Sequence, residues 1–515
     1  MISKIYSAAL RGVEAVEVEV EVSAREADGA NAGRINIVGL PDAAVRESGD
    51  RVTTAILASA MNYVYGVHTV NLAPADLRKE GPSFDLPIAL AMIACEKEEE
   101  LPQARDLMIV GELALDGTLR PVKGALSIAL GAKAAGRRRL LLPVANAREA
   151  AMVSDLEVYG LKNLHEAWEF ITGKDPRPPE PRPVLVQSNA KEHAADLDEV
   201  KGQQNVKRAL EIAAAGGHNL LMVGPPGTGK SMLAKRMPTI MPDMTEQEAI
   251  EATRIHSVAG LLDARQGLVA GRPFRSPHHT ISDVGLIGGG SNPGPGEISL
   301  AHNGVLFLDE LPEYRRSTLE VLRQPLEDGK VTISRAAGTY NFSSKFLLVC
   351  ALNPCPCGFY GDPVRQCRCN PRQVESYRAK ISGPLLDRID LHVEVPLIDY
   401  KQLTSQEQSE SSATVRQRVM ECRERQTQRF KELPGTRTNS DMGPKVMRQY
   451  CSVSDDCSML LEQAMEQLNF SARAHDRILK VARTIADLAG ADELGADHVL
   501  EAIQYRSLDR QLSFS

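Results

Sequence analysis

The stretch from Gly224 to Ser231 constrains this chain more than any other. Its residues match the phosphate-binding pattern G-x-x-x-x-G-K-[ST] at every fixed position. An apolar run at 219–223 precedes the stretch and predicts a buried strand, and helix-forming residues at 231–237 follow it. In that setting, loop N–H groups and a helix N-terminus surround phosphates. The sequence therefore predicts an ATP-binding loop made of Gly224, Pro225, Pro226, Gly227, Thr228, Gly229, Lys230 and Ser231.

Polar side chains in and after this loop are candidates for the chemistry of ATP hydrolysis. We expect Lys230 to reach the β- and γ-phosphates and the Ser231 hydroxyl to bind Mg²⁺. A later apolar run ends in Asp309 and Glu310, where Asp309 would bind Mg²⁺ and Glu310 would act as general base on the attacking water. Another predicted buried strand ends at Asn353, which we expect beside Asp309 and the γ-phosphate.

Two arginines further along the chain are candidate contacts to the nucleotide. Arg388 stands between Asp387 and Asp390, and its place in the order of motifs predicts an arginine finger that reaches a neighbouring subunit's γ-phosphate. Arg473 opens a predicted helix that runs to Ala489, and we expect it to reach a nucleotide from a helical lid. A surface ion pair for Arg388 and a first-turn helix charge for Arg473 are the alternatives.

Four of the nine cysteines fall within fifteen residues of one another. Each pair has one residue between its members, and the set is Cys355, Cys357, Cys367 and Cys369. Four thiolates suit tetrahedral Zn²⁺, and a closed set of four is structural rather than catalytic. We therefore predict a structural zinc site that braces a loop near the active site. An iron–sulfur cluster and free reduced thiols are the alternatives.

The overall charge and hydropathy narrow the class of protein. The formal net charge is −7, so any DNA contact must come from a local basic feature rather than from the whole surface. No run approaches the roughly 18 consecutive apolar residues of a membrane span, and the first residues lack the apolar core of a signal peptide. In a reducing compartment, the clustered cysteines suggest a metal rather than disulfides. We expect a cytoplasmic protein with no membrane partner.

The chain divides into five predicted segments. The first is an α+β unit, and the prolines of the second predict an extended linker, with a structured loop as the alternative. The third is an α/β ATPase core that carries the phosphate loop, and the last two are a polar connector and a helical lid. The predicted bounds are 1–172, 173–192, 193–395, 396–440 and 441–515.

A Gly-Pro-Ser turn at 81–83, together with two later stretches, resembles the proteolytic domain of the Lon family, which has a ribosomal S5 domain 2-like α+β fold. That domain uses a Ser–Lys dyad, and Ser83 matches its nucleophile. The family's pattern puts Ile128 where the lysine belongs, and Lys123 stands five positions too early. A serine without a base is a poor nucleophile. We therefore expect Ser83 to be structural.

The order of the phosphate loop, Asp309, Asn353, Arg388 and Arg473 resembles that of AAA+ ATPases. The run 322–335 is similar to the branch that holds magnesium-chelatase ATPase subunits and MCM helicases. With the amino-terminal unit, a Ser-Pro-His-His stretch and the cysteine cluster, the whole chain resembles the ComM family, also called YifB. The resemblance implies a homo-hexameric, ATP-driven motor on single-stranded and branched DNA. It implies branch migration during natural transformation, beside recombination machinery.

Two segments carry the candidate DNA contacts. Short β-prone runs around Arg335 predict a hairpin with Lys330 at its base, and the resemblance implies that such a hairpin points into the pore of a ring. Residues 272–300 are too long for a plain connection and predict a second pore loop, with Arg275 and His278 as contacts. The alternatives are a solvated hairpin and, for the histidines, a metal site or a structural role.

Three other functions compete with a DNA motor. The first is a chelatase motor that drives metal insertion into a porphyrin, which would make the ATPase depend on porphyrin. The second is an ATP-dependent protease, which Ile128 disfavours. The third is a remodelling module of the transcriptional-activator kind. The ATPase rate with and without DNA discriminates among them.

Overall fold

The computed structural model describes most of the chain, and every structural statement below refers to the residues that it describes. These are residues 2–25, 33–61, 66–99, 101–183, 196–263, 267–290, 293–335, 338–362, 365–398, 409–433, 435–468 and 470–508. Among the helices in these ranges, none combines the length and the apolar content that crossing a bilayer requires.

The first unit is built around one mixed sheet. Its strands are β1 (Ile2–Arg11), β2 (Glu14–Arg25), β3 (Ile35–Val38), β4 (Val67–Ala73), β5 (Leu107–Ile109), β6 (Glu112–Leu113), β7 (Leu119–Arg120), β8 (Arg139–Pro143) and β9 (Glu157–Leu161). Seven of them pair in the order β3-β4-β2-β1-β5-β8-β9. Strand β2 alternates valine with glutamate, and Val18, Val20 and Val22 are fully buried, which confirms the strand that the alternation predicts.

Helices cover both faces of this sheet. Ile5 and Ala9 of β1 pack in one apolar cluster with the helix Asp85–Glu96, whereas Ala8 packs in another with the helix Ala125–Ala134. Odd and even residues of a strand point to opposite faces, so the two helices lie on opposite sides. The helices of the unit are Ala43–Arg46, Ser48–Ala58, Asp85–Glu96, Ala125–Ala134, Val144–Ala150 and Leu164–Ile171.

The residues of the incomplete Ser–Lys dyad have packing roles. Ile128 is 1% exposed and belongs to the apolar cluster around the helix Ala125–Ala134. Ser83 lies in a short 3₁₀ turn, and its carbonyl accepts a hydrogen bond of 2.9 Å from the N–H of Gly111. The methylenes of Lys123 lie beside Gly260 in the next unit. These contacts agree with a structural role for Ser83.

The second unit contains the phosphate loop and a parallel sheet. Its strands are β10 (Leu220–Val223), β11 (Phe274–Arg275), β12 (Gly288–Gly289), β13 (Gly294–Pro295), β14 (Val305–Leu308), β15 (Lys330–Arg335), β16 (Gly338–Ser343), β17 (Leu347–Leu352) and β18 (Leu391–Glu394). The sheet order is β11-β14-β17-β10-β18, with every pairing parallel. All residues of β10, β14 and β17 are buried, which explains their unbroken apolar sequences.

Helices of 4 to 14 residues surround this sheet. The N–H of Gly124 donates to the carbonyl of Ser257 at 3.3 Å, where the first unit packs on the helix Glu246–Ala259. Ala249 of that helix shares an apolar cluster with Ile128, so the two units form a continuous interface. The helices of the core are Gln204–Gly216, Lys230–Ile240, Glu246–Ala259, Asp283–Ile287, Glu297–Leu300, Arg316–Glu320, Arg323–Asp328, Pro371–Arg378 and Gly383–Leu386.

The carboxyl-terminal part is helical, as the sequence predicts. The first of its helices buries Val415, Val419 and Cys422 in the core cluster, so the predicted polar connector contributes a helix that is docked on the ATPase core. The helix has few apolar residues, and charged residues separate them, so the sequence of this segment looks polar overall. The helices are Ser412–Arg429, Pro444–Tyr450, Asp455–Leu468, Ala472–Leu488 and Ala496–Gln504.

The described part of the proline-rich segment follows the surface of the first unit. The N–H of Glu180 donates to the carbonyl of Val158 at 2.7 Å, and Arg177 pairs with Glu166 at 3.3 Å. The alternative of a structured loop therefore describes residues 175–183. Residues 184–192 of the predicted linker lie outside the described residues.

Candidate nucleotide site

The parallel sheet brings the predicted ATPase residues to one edge. The phosphate loop follows the carboxyl end of β10, Asn353 follows β17, and Asp309 follows β14. Because β17 pairs with both β10 and β14 in parallel, their carboxyl ends lie side by side. The N–H of Gly224 donates to the carbonyl of Leu352 at 3.2 Å, which ties the loop to the neighbouring strand.

Lys230 lies at the first position of the helix that follows the phosphate loop. Its ammonium group donates hydrogen bonds to the carbonyls of Gly224 at 2.7 Å and Pro225 at 2.8 Å, and to the Asn353 side chain at 3.2 Å. Burial lowers its pKa to about 8, against the opposing charges of Asp309 and Glu310. A buried cation held among acceptors is well suited to bind phosphate oxygens.

The two predicted Mg²⁺ ligands lie in direct contact. The Ser231 hydroxyl donates to an Asp309 carboxylate oxygen at 2.5 Å, and the other Asp309 oxygen accepts from the N–H of Glu310 at 2.9 Å. Hydroxyl and carboxylate oxygens are the donors that Mg²⁺ prefers. The pair therefore fits a magnesium ion that also binds phosphate oxygens.

Glu310 has the backbone and exposure of a reactive residue. Its φ is +52°, a left-handed conformation that is uncommon outside glycine and clusters at functional sites. Its side chain is 52% exposed, and an oxygen lies 3.5 Å from Nδ1 of His279. The Tyr314 hydroxyl donates to the carbonyl of Pro277 at 2.6 Å and fixes the loop that carries His279.

Two residues that no sequence motif singles out support this site. His279 contacts Glu310, although only its neighbour His278 stood out as a candidate DNA contact. Gln203 has φ of +55° and donates to the carbonyls of Thr228 at 2.9 Å and Pro396 at 3.1 Å. The available signals were the tandem histidines and the Gly-Gln pair before a helix, and neither indicates a specific partner.

The two predicted arginines lie at the opposite edge of the sheet. The Arg388 carbonyl accepts from the side chain of Asn219, at the amino end of β10. The guanidinium of Arg388 pairs with Glu327, and Arg473 lies 3.9 Å from Asp387. Both arginines line a cleft of about 710 Å³ between the core and the carboxyl-terminal helices.

The position of Arg473 bears on which nucleotide the lid can reach. A strand of four residues spans about 13 Å, so the cleft and the phosphate loop are separated by the length of β10. The helix Ala472–Leu488 therefore presents Arg473 beside Arg388, away from the phosphate loop of its own chain.

The candidate DNA contacts are separated into different environments. Strands β15 and β16 form the predicted hairpin, in register from Lys330↔Ser343 to Arg335↔Gly338. The side chains of Lys330 and Arg335 are both exposed. Arg275 instead lies in β11 and makes two hydrogen bonds to Glu297, at 2.6 and 2.7 Å. Its charge is already compensated, so the hairpin cations are the more available ones.

His278 is exposed, and its ring lies beside that of His279. The two ring centroids are 4.1 Å apart, and Nδ1 of His278 lies 2.9 Å from the Thr280 hydroxyl. These contacts hold the tandem histidines in a local turn. Neither histidine belongs to a metal-ligand cluster among the described residues.

The four cysteines of the predicted metal site converge. All four sulfur atoms lie within 4.8 Å of one another, and the sulfur distances are 3.4 Å for Cys355–Cys357, 3.7 Å for Cys355–Cys367 and 3.6 Å for Cys357–Cys367. Zinc–sulfur bonds of about 2.3 Å in a tetrahedron give sulfur–sulfur distances of about 3.8 Å. The donor set therefore fits Zn²⁺.

The cysteine cluster packs on the phosphate loop. A Cβ atom on Gly358 would lie 2.5 Å from Cδ of Pro226, and Gly358 has φ of +86°. Its N–H donates to the carbonyl of Cys355 at 2.9 Å. A glycine is required here because the turn that carries the cysteines touches the nucleotide loop directly.

Models of magnesium-chelatase families match most of the chain. Residues 196–403 match the family described as magnesium chelatase, subunit ChlI, and residues 18–146 match subunit ChlI of Mg-chelatase. Residues 409–506 match the magnesium chelatase subunit ChlI C-terminal family. The phosphate loop, the cysteine cluster and the carboxyl-terminal helices thus fall within one family of proteins.

Full-length relatives share this organisation. The chain is 43% identical over 512 residues to the protein YifB of Escherichia coli, covering 99% of this chain and 98% of that protein. It is 42% identical over 518 residues to the competence protein ComM of Haemophilus influenzae, covering 99% and 98%. A shorter match, 25% identical over 207 residues, is to the DNA replication licensing factor mcm7 of Schizosaccharomyces pombe, covering 38% and 23%.

We predict that ATP affinity falls as the pH rises through the pKa of Lys230. This pKa is lowered to about 8, so the ammonium is charged below that pH and neutral above it, and anionic phosphates bind the charged form. Affinity should be about tenfold weaker at about pH 9 than at about pH 7. A fluorescent ATP analogue measures it.

The matched control is Lys230→Arg, whose guanidinium stays charged throughout this range. Whatever its absolute affinity, the pH dependence should be flat for this variant. Equal affinity of the unmodified protein at both pH values would contradict the assignment.

Proposed function

Because this chain belongs to the YifB and ComM family of magnesium-chelatase-like AAA+ ATPases, we propose that it is an ATP-driven motor on single-stranded and branched DNA. We propose a hexameric ring in the cytoplasm that extends heteroduplex by branch migration during natural transformation. The name of the Haemophilus influenzae relative, competence protein ComM, supports that setting. The mcm7 match supports a DNA substrate.

The observation that carries a ring is the separation of Lys230 and Arg388 at opposite ends of one sheet. A single chain with this geometry cannot bring both cations to one γ-phosphate. Head-to-tail contact between copies brings Lys230 of one copy and Arg388 of the next to the same γ-phosphate, because the cleft of one copy then faces the phosphate loop of its neighbour. Repeated contacts of this kind close into a ring when the rotation permits.

The proposed chemistry assigns one task to each group. Lys230 and Asn353 hold the γ-phosphate, and Glu310 orients water and accepts its proton. Mg²⁺ held by Ser231 and Asp309 would neutralise phosphate charge. Arg388 of the neighbouring subunit stabilises the charge that develops on transfer, and Arg473 from the same cleft adds a second cation.

DNA binding is proposed for the β15–β16 hairpin. The net charge of −7 makes unfocused binding unfavourable, so exposed cations on one local element have to supply the affinity. Arg335 and Lys330 meet this requirement, whereas Arg275 is paired with Glu297. Contacts between these cations and phosphates give affinity without sequence preference.

A chelatase motor is the second candidate, since the matched families are named for magnesium chelatase. Stimulation of ATP hydrolysis by porphyrin together with a metal-inserting partner, and none by DNA, would favour it. A Lon-like protease has less support, because Ile128 is buried in an apolar cluster where the dyad would need a lysine.

We also propose that Cys355, Cys357, Cys367 and Cys369 bind one structural zinc ion. The near-tetrahedral sulfur distances support zinc, and the contact of Gly358 with Pro226 makes the bound metal a brace for the phosphate loop. A metal that holds this turn stabilises the loop in the conformation that binds ATP.

We predict that Arg388→Ala retains ATP binding and loses turnover by about a thousandfold. Mixing it with Lys230→Ala should restore part of the activity, because about a quarter of the interfaces in a random ring regain both cations. Initial phosphate-release rates on the mixture measure this. Mixtures of two Lys230→Ala preparations are the control, and rings shown to be mixed but still inactive would exclude action in trans.

We predict that Arg335→Ala weakens binding to forked and single-stranded DNA of every sequence and abolishes the DNA-stimulated part of the ATPase rate. Each lost phosphate contact should lower the slope of log affinity against log salt by about 0.7 to 0.9. Fluorescence anisotropy over a salt series measures both quantities. The exposed Lys431 provides a control variant, Lys431→Ala, and unchanged DNA binding by Arg335→Ala would exclude the hairpin.

We predict one zinc ion per chain in protein purified under reducing conditions. Cys369→Ser should lose the metal and weaken ATP affinity, because the turn that supports Pro226 loosens. Cys457→Ser, at a buried cysteine of the carboxyl-terminal helices, is the control and should retain both. Elemental analysis that finds iron, or no metal, would rule out zinc.

A further inference from the structure

The turn between β1 and β2 of the first unit lies against the β15–β16 hairpin of the core. A Cβ atom on Gly12 would lie 3.7 Å from Cδ1 of Tyr340 and 3.8 Å from Cζ of Phe342. Val13 packs against the apolar cluster that contains Phe342 and Val331. The first unit, which has no part in the proposed ATP chemistry, therefore touches the element proposed to bind DNA.

This turn is held in a fixed position. The carbonyl of Val13 accepts hydrogen bonds from the Ser127 hydroxyl at 2.7 Å and from the Arg254 guanidinium at 2.8 Å. Ser127 belongs to the first unit and Arg254 to the core, so the turn is secured from both sides. A side chain on this turn is presented at a defined place on the surface.

Arg11 is the cation that the turn presents. It is exposed, and one of its guanidinium nitrogens lies 3.6 Å from the position that a Cβ atom on Gly338 would occupy. Glu14 is its register partner across the turn, but within the described ranges no ion pair joins them. The Glu14 charge acts on Arg254 instead.

Arg335 lies at the same end of the hairpin, as the last residue of β15. Its guanidinium nitrogen lies 3.4 Å from the position of a Cβ atom on Gly289, in the long segment 272–300. Arg335 pairs in register with Gly338, beside which Arg11 lies. Elements from the first unit, the hairpin and the long segment thus meet at one end of the hairpin, with an exposed arginine from each of the first two.

We propose that Arg11 is a further contact to DNA phosphate, so that the first unit forms part of the DNA-binding surface. The inference rests on the proposed DNA-motor function. Arginine suits this role because its planar guanidinium makes paired hydrogen bonds to phosphate oxygens and stays charged. Two arginines at one hairpin end engage neighbouring phosphates of a strand, and each releases counterions.

The test compares Arg11→Ala, Arg11→Lys and the control Arg46→Ala. Arg46 is an exposed arginine of the first unit, on the short helix Ala43–Arg46. Anisotropy with a single-stranded oligonucleotide measures affinity over a salt series, and thermal melting checks that each variant folds. Arg11→Ala should weaken affinity by about fivefold and lower the salt slope by about 0.7. Arg11→Lys should restore the slope, and Arg46→Ala should match the unmodified protein.

Three results would overturn the inference in different ways. Unchanged affinity and slope for Arg11→Ala, while Arg335→Ala loses both, would exclude Arg11 and leave the proposed function intact. A loss of affinity with an unchanged slope, not rescued by Arg11→Lys, would make Arg11 a support for the hairpin rather than a phosphate contact. Failure of the unmodified protein to bind DNA would overturn the proposed function itself.

Discussion

The parallel pairing of β10, β17 and β14 holds the predicted ATP-binding groups together, because strands that run in one direction end at one edge of the sheet. Three distant parts of the chain meet there, because Lys230 donates a hydrogen bond to Asn353 and the neighbouring Ser231 donates one to Asp309. Every residue of these three strands is buried, so packing on both faces of the sheet positions the groups at its end.

The opposite edge of that sheet carries the two arginines that are candidates to contact the phosphates of a second copy. Arg388 and Arg473 line a cleft between the core and the carboxyl-terminal helices, and acidic neighbours such as Glu327 and Asp387 compensate their charges. Phosphate from another copy would compete with these carboxylates for the guanidinium groups. In the proposed ring, nucleotide chemistry would depend on assembly, because each catalytic centre would take groups from two copies.

Several segments outside the parallel sheet contact the core and connect it to its surroundings. The cysteine-bearing turn reaches Pro226 through Gly358, and the long segment reaches Glu310 through His279. The first unit packs on the helix Glu246–Ala259 and on the β15–β16 hairpin. The proposed metal site therefore contacts the phosphate loop directly, and the first unit directly contacts the hairpin proposed to bind DNA.

Local sequence determined the elements whose signal lies in consecutive residues. The phosphate loop, the buried strands that end in Asp309 and Asn353, the hairpin at Arg335 and the cysteine cluster were all predictable, because short-range patterns fix backbone conformation and ligand type. The alternation of β2 likewise predicted a strand. The resemblance to the ComM family came from the order of these motifs, and full-length relatives confirm it.

Only the tertiary structure decided which of these elements meet. The sequence does not encode strand order in any local pattern, so it could not place Arg473 beside Arg388 rather than beside its own phosphate loop. The contacts of His279 with Glu310 and of Gly358 with Pro226 join residues of different segments, as does the approach of Arg11 to Gly338. Their partners are set by packing across the sheet and between units, which depends on the whole fold rather than on neighbours in the chain.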